Sequence, residues 1–99
     1  MAISLAKTLQ GTAYTLYMTT DILATFQGLV VTKESVYQSS GHRSDGFLPI
    51  ISKVNVITDI TATASINNSY NSGDISAAIA TAEAYLINNV AWYSGGSAV

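Results

Sequence analysis

The stretch "IISKVNVITDITATASI", Ile50 to Ile66, decides how this chain folds, because alternation alone reads it as one long two-faced strand. Val54, Val56, Ile60, Ala62, Ala64 and Ile66 fall on one side, and Lys53, Asn55, Asp59, Thr61, Thr63 and Ser65 on the other. Such a pattern specifies a sheet with one apolar and one polar face. Run straight, the segment spans about 55 Å, too long for one strand of a small domain. A bulge or turn is therefore expected near Thr58 and Asp59, or the sheet belongs to something larger than this chain. Pro49 suits the beginning of the strand, where a missing N–H costs little.

The segment after it, Ser72 to Gly96, reads as one long helix. Asp74 is a good N-cap, the Ala, Leu, Ile and Glu content favours helix, and Gly95 and Gly96 stand where a left-handed stop is expected. Stepping 100° per residue aligns Ile75, Ile79, Ala82, Leu86, Val90 and Tyr93 in one stripe fit to cover an apolar sheet face. Past Asp74 the only charged residue is Glu83. The opposite side carries a second seam of small residues, Ala77, Ala80, Ala84 and Ala91, flanked by Tyr85 and Trp92. A helix that shows water no charged face is expected to be covered on two sides, so the stripe, the seam and Trp92 form the expected dimer and assembly interface.

Upstream, Tyr14, Leu16 and Met18 alternate with Thr15, Tyr17 and Thr19, which is strand-like. Residues 2–9 fit either a strand turned into a hairpin by Gln10-Gly11 or a short helix. Thr19 to Gly28, "TTDILATFQG", reads as loop or turn, with a brief helical turn as the alternative. Leu29 to Gln38, "LVVTKESVYQ", is β-branched and reads as a strand. Ser39 to Gly46, "SSGHRSDG", reads as a loop.

Ninety-nine residues make one domain, 1–99. Charged residues are only 10 % against 48 % apolar, well below the roughly 25 % charged of ordinary domains. Hydroxyls and amides fill the gap, and they are cheaper than ions to bury between subunits. The composition suits self-assembly. A net charge of −2 announces no basic nucleic-acid tail. The start "MAISLAKTLQ" has no basic leader, and the longest aliphatic run, Leu29 to Val31, cannot span a bilayer. Synthesis in a cytoplasm is the simplest expectation, and the Asn67-Asn68-Ser69 sequon then reads as loop chemistry.

Nothing in the sequence builds a catalytic or metal centre. There is no cysteine, His42 is the one histidine, and the acids are scattered singly. His42 lies in a segment of loop composition, and neither paired carboxylates on a helical face nor a glycine-rich phosphate cradle is present. No enzyme, cofactor, small-molecule substrate or membrane partner is expected. The polar strand face is a candidate nucleic-acid surface: Lys53, Asn55, Thr61 and Thr63, with Lys33, Ser35 and Tyr37 added by the same parity from a neighbouring strand, offer donors for phosphates and an aromatic for bases. One or two lysines release few counterions, so such a face works through many copies on a shell.

The order of "VNVITDITATASI", "NNSYNSGD" and "ISAAIATAEAYLINNVAWYSGGSAV" resembles the second half of the coat proteins of single-stranded RNA bacteriophages, the levivirus-like group, as does the sparse charge. The first half has no matching run of basic residues. The resemblance implies an α+β fold, an antiparallel β-sheet with a long C-terminal α-helix packing on the sheet of a dimer partner, and a bare sheet face turned toward RNA. It implies a virion structural protein that is an obligate homodimer and self-assembles into an icosahedral capsid. A decoration, head-completion or tail protein of a DNA phage, or a small inhibitory binding protein, fits the same composition.

Overall fold

The computed structural model describes residues 2–99 and is α+β: a five-stranded antiparallel sheet with helices on one face. β1 (Ala2–Leu9), β2 (Thr12–Phe26) and β3 (Leu29–Tyr37) form a meander. A short helix α1 (Ser40–Ser44) precedes β4 (Ile51–Ile57), and α2 (Ile60–Asn71) and α3 (Ile75–Asn89) follow it. A 3₁₀ turn (Ala91–Tyr93) leads to β5 (Ser97–Ala98). The strand order is β4-β3-β2-β1-β5, so β4 and β5 are the two edges.

The first hairpin closes through Gln10-Gly11, with φ of 47° and 82° and with Leu9 opposite Thr12. Two consecutive positive φ values make the tight turn whose twist matches that of paired strands. The strand alternative for residues 2–9 is the observed one. β2 continues through Phe26, over residues expected to be loop or turn. A bulge hides it: Ile22 pairs with Thr32 and Ala24 with Val31, leaving Leu23 unpaired and shifting the alternation by one residue.

The long strand expected over Ile50–Ile66 is two elements. It breaks at Thr58-Asp59, where a turn was expected, but residues 60–71 then form a helix. The Asp59 carboxylate accepts a hydrogen bond from Ala62 N at 2.8 Å and so supplies the N-cap. Along α2 the buried positions are Thr63 and Ile66, a helical spacing that the coincidental alternation of Ala and Thr concealed. The β-branched content favours strand only weakly, and the cap together with packing on the sheet overrides it.

α3 begins as expected, with Asp74 capping Ala77 N at 3.1 Å. It ends sooner than expected, since Val90 is extended (φ −111°, ψ 118°). Gly95 has the anticipated positive φ, but it turns the chain into β5, which pairs with Ile3 and Ser4. A Cβ on Gly96 would stand 3.0 Å from both Ile3 Cγ2 and the Tyr93 carbonyl, so this close approach requires glycine.

Both helices lie on the chain's own sheet. Leu86 and Tyr93 pack with Ile3, Leu5, Leu16, Met18 and Val36 in one cluster, and Ile66, Ala78 and Ala82 pack with Val30 and Ile57 in another. Ala82, Leu86 and Tyr93, expected at a dimer interface, are thus fully buried inside the chain itself. Ile79 and Val90 are half-buried and Ile75 is exposed. The second seam is uneven: Ala77 and Ala80 are half-buried, Ala84 and Ala91 exposed. No helix among the described residues is long and apolar enough to cross a membrane.

Leu86 is the side chain through which α3 grips the centre of the sheet. Leu86→Ala is expected to lower stability by about 2–5 kcal/mol, read as a lower urea midpoint with an unchanged slope.

Candidate functional site

The helices cover the sheet side bearing Ile3, Leu5, Leu16, Met18, Val30, Val36 and Ile57, so alternation sends the intervening residues to a face with no covering layer among the described residues. Register arranges this open face in rows. At one end lie Ala6 and Thr15, then Ser4, Tyr17 and Tyr37, then Thr19, Ser35 and Ser52. The next row holds Asp21, Lys33 and Val54. Beyond it come Ala24, Val31 and Val56, and finally Phe26 and Leu29. The face is therefore divided into a hydroxyl and tyrosine region and an apolar region that reaches the β4 edge. Val54, Val56 and Phe26 are 62 %, 59 % and 62 % exposed.

The residues expected to form one nucleic-acid surface are split between the two faces. Lys33 stands opposite Val54 and Thr32 opposite Asn55, so partners in this register have opposite parity. Lys33, Ser35 and Tyr37 consequently share the open face with Val54 and Val56, whereas Lys53 and Asn55 point under the helices. The apolar pair expected to be covered is the exposed one. Thr61 is exposed on α2, and Thr63 is buried, its Oγ1 accepting from Gly28 N at 3.0 Å and donating to the Asp59 carbonyl at 2.8 Å. Tyr17, Thr19 and Ser52 belong to the open face and were not singled out, although the alternation of Thr15, Tyr17 and Thr19 with buried residues was readable.

Lys53 is engaged elsewhere. Its Nζ lies 4.5 Å from the centroid of Trp92, as does Nζ of Lys7, which also donates to the Trp92 carbonyl at 3.0 Å. Two of the chain's four Lys and Arg residues thus hold the segment after α3 in place. Lys33 is left as the cation of the open face, with Asp21 as its cross-strand neighbour.

The covered face has a polar centre between its two apolar clusters. Asn55 Nδ2 donates to Glu34 Oε1 at 2.6 Å and to the Tyr93 hydroxyl at 2.8 Å, and Thr32 Oγ1 donates to the same Oε1 at 3.1 Å. Thr20 Oγ1 donates to Glu83 Oε2 at 2.9 Å. Burial pushes both carboxyls above the usual carboxylate range, against the pull of these hydrogen bonds. Burial, and secondarily the Glu34 charge, push the Tyr93 phenol up to about 12. Glu34, Glu83 and Tyr93 are fully buried, and Asn55 half-buried.

Other chemistry on the surface is sparse. Ser39 Oγ accepts from His42 N at 3.1 Å and lies 2.7 Å from His42 Nδ1, the geometry of a helix cap. A depression of about 470 Å³ lies beside the first hairpin, lined by Leu9, Gln10, Thr12, Tyr14, Ile50 and Ile51. Among the described residues no three His, Cys, Asp or Glu side chains gather where they could hold a metal ion. Comparison of the chain with protein-family models, with curated proteins and with solved structures finds no match.

Asn55 is the donor that ties β4 to Glu34 and Tyr93. Asn55→Ala is expected to cost about 1–3 kcal/mol by leaving buried acceptors without a donor, measured by urea unfolding near neutral pH.

Proposed function

We propose that this chain is a virion structural protein, a coat subunit that dimerises and assembles into an icosahedral shell around single-stranded RNA. The observation that supports this reading is a group of apolar residues on the uncovered face: exposed Val54, Val56, Phe26 and Leu29, with half-buried Val31 among them. β4 is that edge, and its open-face side chains, Ser52, Val54 and Val56, are uncharged. An edge strand without outward charge or proline invites a further strand. In this reading two β4 strands pair about a twofold axis and continue the sheet into a second copy. The rows of small residues, Ala77, Ala80, Ala84 and Ala91, then meet neighbouring protein in the shell. Packing of the long helix on a partner's sheet corresponds to exchange of α2 and α3 between paired copies, with Thr58-Asp59 as the hinge.

The hydroxyl and tyrosine region faces the RNA. Tyr17 and Tyr37 are cross-strand partners, flanked by Ser4, Thr19 and Ser35, and each offers a ring on which a base can stack. With Lys33 beside Asp21, each copy contributes almost no net charge, so retention of RNA depends on the number of copies acting together. That near-neutrality also favours a second reading, in which the chain is a decoration, head-completion or tail subunit without nucleic-acid contact.

Sedimentation of the purified chain at micromolar concentration is expected to give a dimer or larger species. Val54→Lys with Val56→Lys is expected to give a folded monomer, and a monomeric parent chain defeats the reading. Expression of the chain alone is expected to yield closed particles that contain host RNA. Tyr17→Ala with Tyr37→Ala should reduce the RNA per particle while particles still form, and Lys53→Met should leave RNA content unchanged. Absence of closed particles would support the second reading instead.

A further inference from the structure

Two carboxyl groups meet across the interior from opposite layers. Glu34 stands on β3 and Glu83 on α3, both at 0 % exposure, and Thr20 on β2 lies between them. Thr20 is the cross-strand partner of Glu34 and donates its hydroxyl proton to Glu83. Each carboxyl has one oxygen with a partner and one without: Glu34 Oε2 and Glu83 Oε1 are buried and receive no hydrogen bond. An ionised carboxylate in such a place loses its hydration and gains little in return.

Among the described residues, the side chains that face the pair are uncharged. Thr20 and Thr32 face it from β2 and β3, Asn55 from β4 and Tyr93 from the 3₁₀ turn, all of them uncharged. The charge of the chain's amino terminus favours the ionised form of Glu83, and the smaller repulsion from Glu34 opposes it. Lys7 and Lys53 lie on the same side of the sheet but are held over Trp92.

We propose that Glu34 and Glu83 form a proton-operated latch, which holds α3 against the sheet while both carboxyls are protonated and releases it when they ionise. Protonation places one hydrogen on each unpartnered oxygen and removes the repulsion between the layers. Ionisation sends both protons to solvent and leaves two like charges in a space that hydrogen bonds satisfy only in part. This device is independent of the coat reading, since it concerns how a single copy holds its own helical layer.

The direction of the pH dependence follows from the raised ionisation range of both groups. The unfolded chain gives up each proton in the ordinary carboxylate range, whereas the folded chain keeps it to higher pH. Stability is full below the unfolded range and falls as pH rises through the window up to the folded chain's own ionisation. In that window the unfolding constant rises about tenfold per pH unit for each carboxyl that stays protonated only when folded.

Urea unfolding of the full chain, followed between about pH 5 and about pH 9, tests the latch. The unfolding constant of the parent chain is expected to rise with pH. Glu83→Gln should remove part of that slope, and Glu34→Gln with Glu83→Gln should remove the rest. A parent chain with a flat or opposite slope, or a double variant that keeps the parent's slope, overturns the proposal. Should the glutamine variants fail to fold, carbon NMR of the two side-chain carboxyls in the parent chain decides. Protonated signals that persist above the ordinary carboxylate range support the latch, and ionisation of both groups within that range overturns it.

Discussion

The pairing of Thr32 with Asn55 is the contact from which both faces of this molecule follow. It fixes β4 so that Ile51, Lys53, Asn55 and Ile57 lie beneath the helices and Ser52, Val54 and Val56 lie outside. A slip of one residue would exchange these sets and place two valines where Asn55 now satisfies Glu34 and Tyr93. It would also bring two cations of β3 and β4, Lys33 and Lys53, onto one surface. The neutrality of the open face is therefore a result of register more than of composition.

Each face reverses the usual polarity in one place. The covered side places glutamate, asparagine and threonine between its apolar clusters, and the uncovered side places valine, leucine and phenylalanine at one end. The two reversals differ in kind. The interior one is met in part by hydrogen bonds among Thr32, Glu34, Asn55 and Tyr93, which restrict how the layers can be stacked. The exterior one is met by nothing among the described residues, and it lies beside an edge strand.

Much of the architecture was legible in the sequence wherever local chemistry and tertiary packing agree. The α+β class was expected from the resemblance, whereas the turn at Gln10-Gly11, the strand at 29–37, the break near Asp59 and the cap at Asp74 are each set by residues within a few positions. Three features escaped for separate reasons. The bulge at Leu23 shifts the alternation in mid-strand, so that the end of β2 resembles a loop. Alternating Ala and Thr after Asp59 serve a helix as well as a strand, and the cap settles which. The parity relating Lys33 to Lys53 depends on a connection of thirteen residues between β3 and β4, which no local pattern specifies. For the same reason the candidate surface was found in part, through Lys33, Ser35 and Tyr37, and its other half was misplaced. Glu83 was visible as the lone charge of α3, and its position beside Ala82 and Leu86 was the available sign that it faces inward.

The ring of Trp92 between the ammonium groups of Lys7 and Lys53 has a spectroscopic consequence. It is the chain's single indole, joined through the adjacent Tyr93 to the buried polar centre and through the two lysines to β1 and β4. Its emission responds to the local electric field and to water, so departure of the helical layer changes colour and intensity together. The molecule thus carries an intrinsic optical gauge of whether its two layers are in register, with no dye attached.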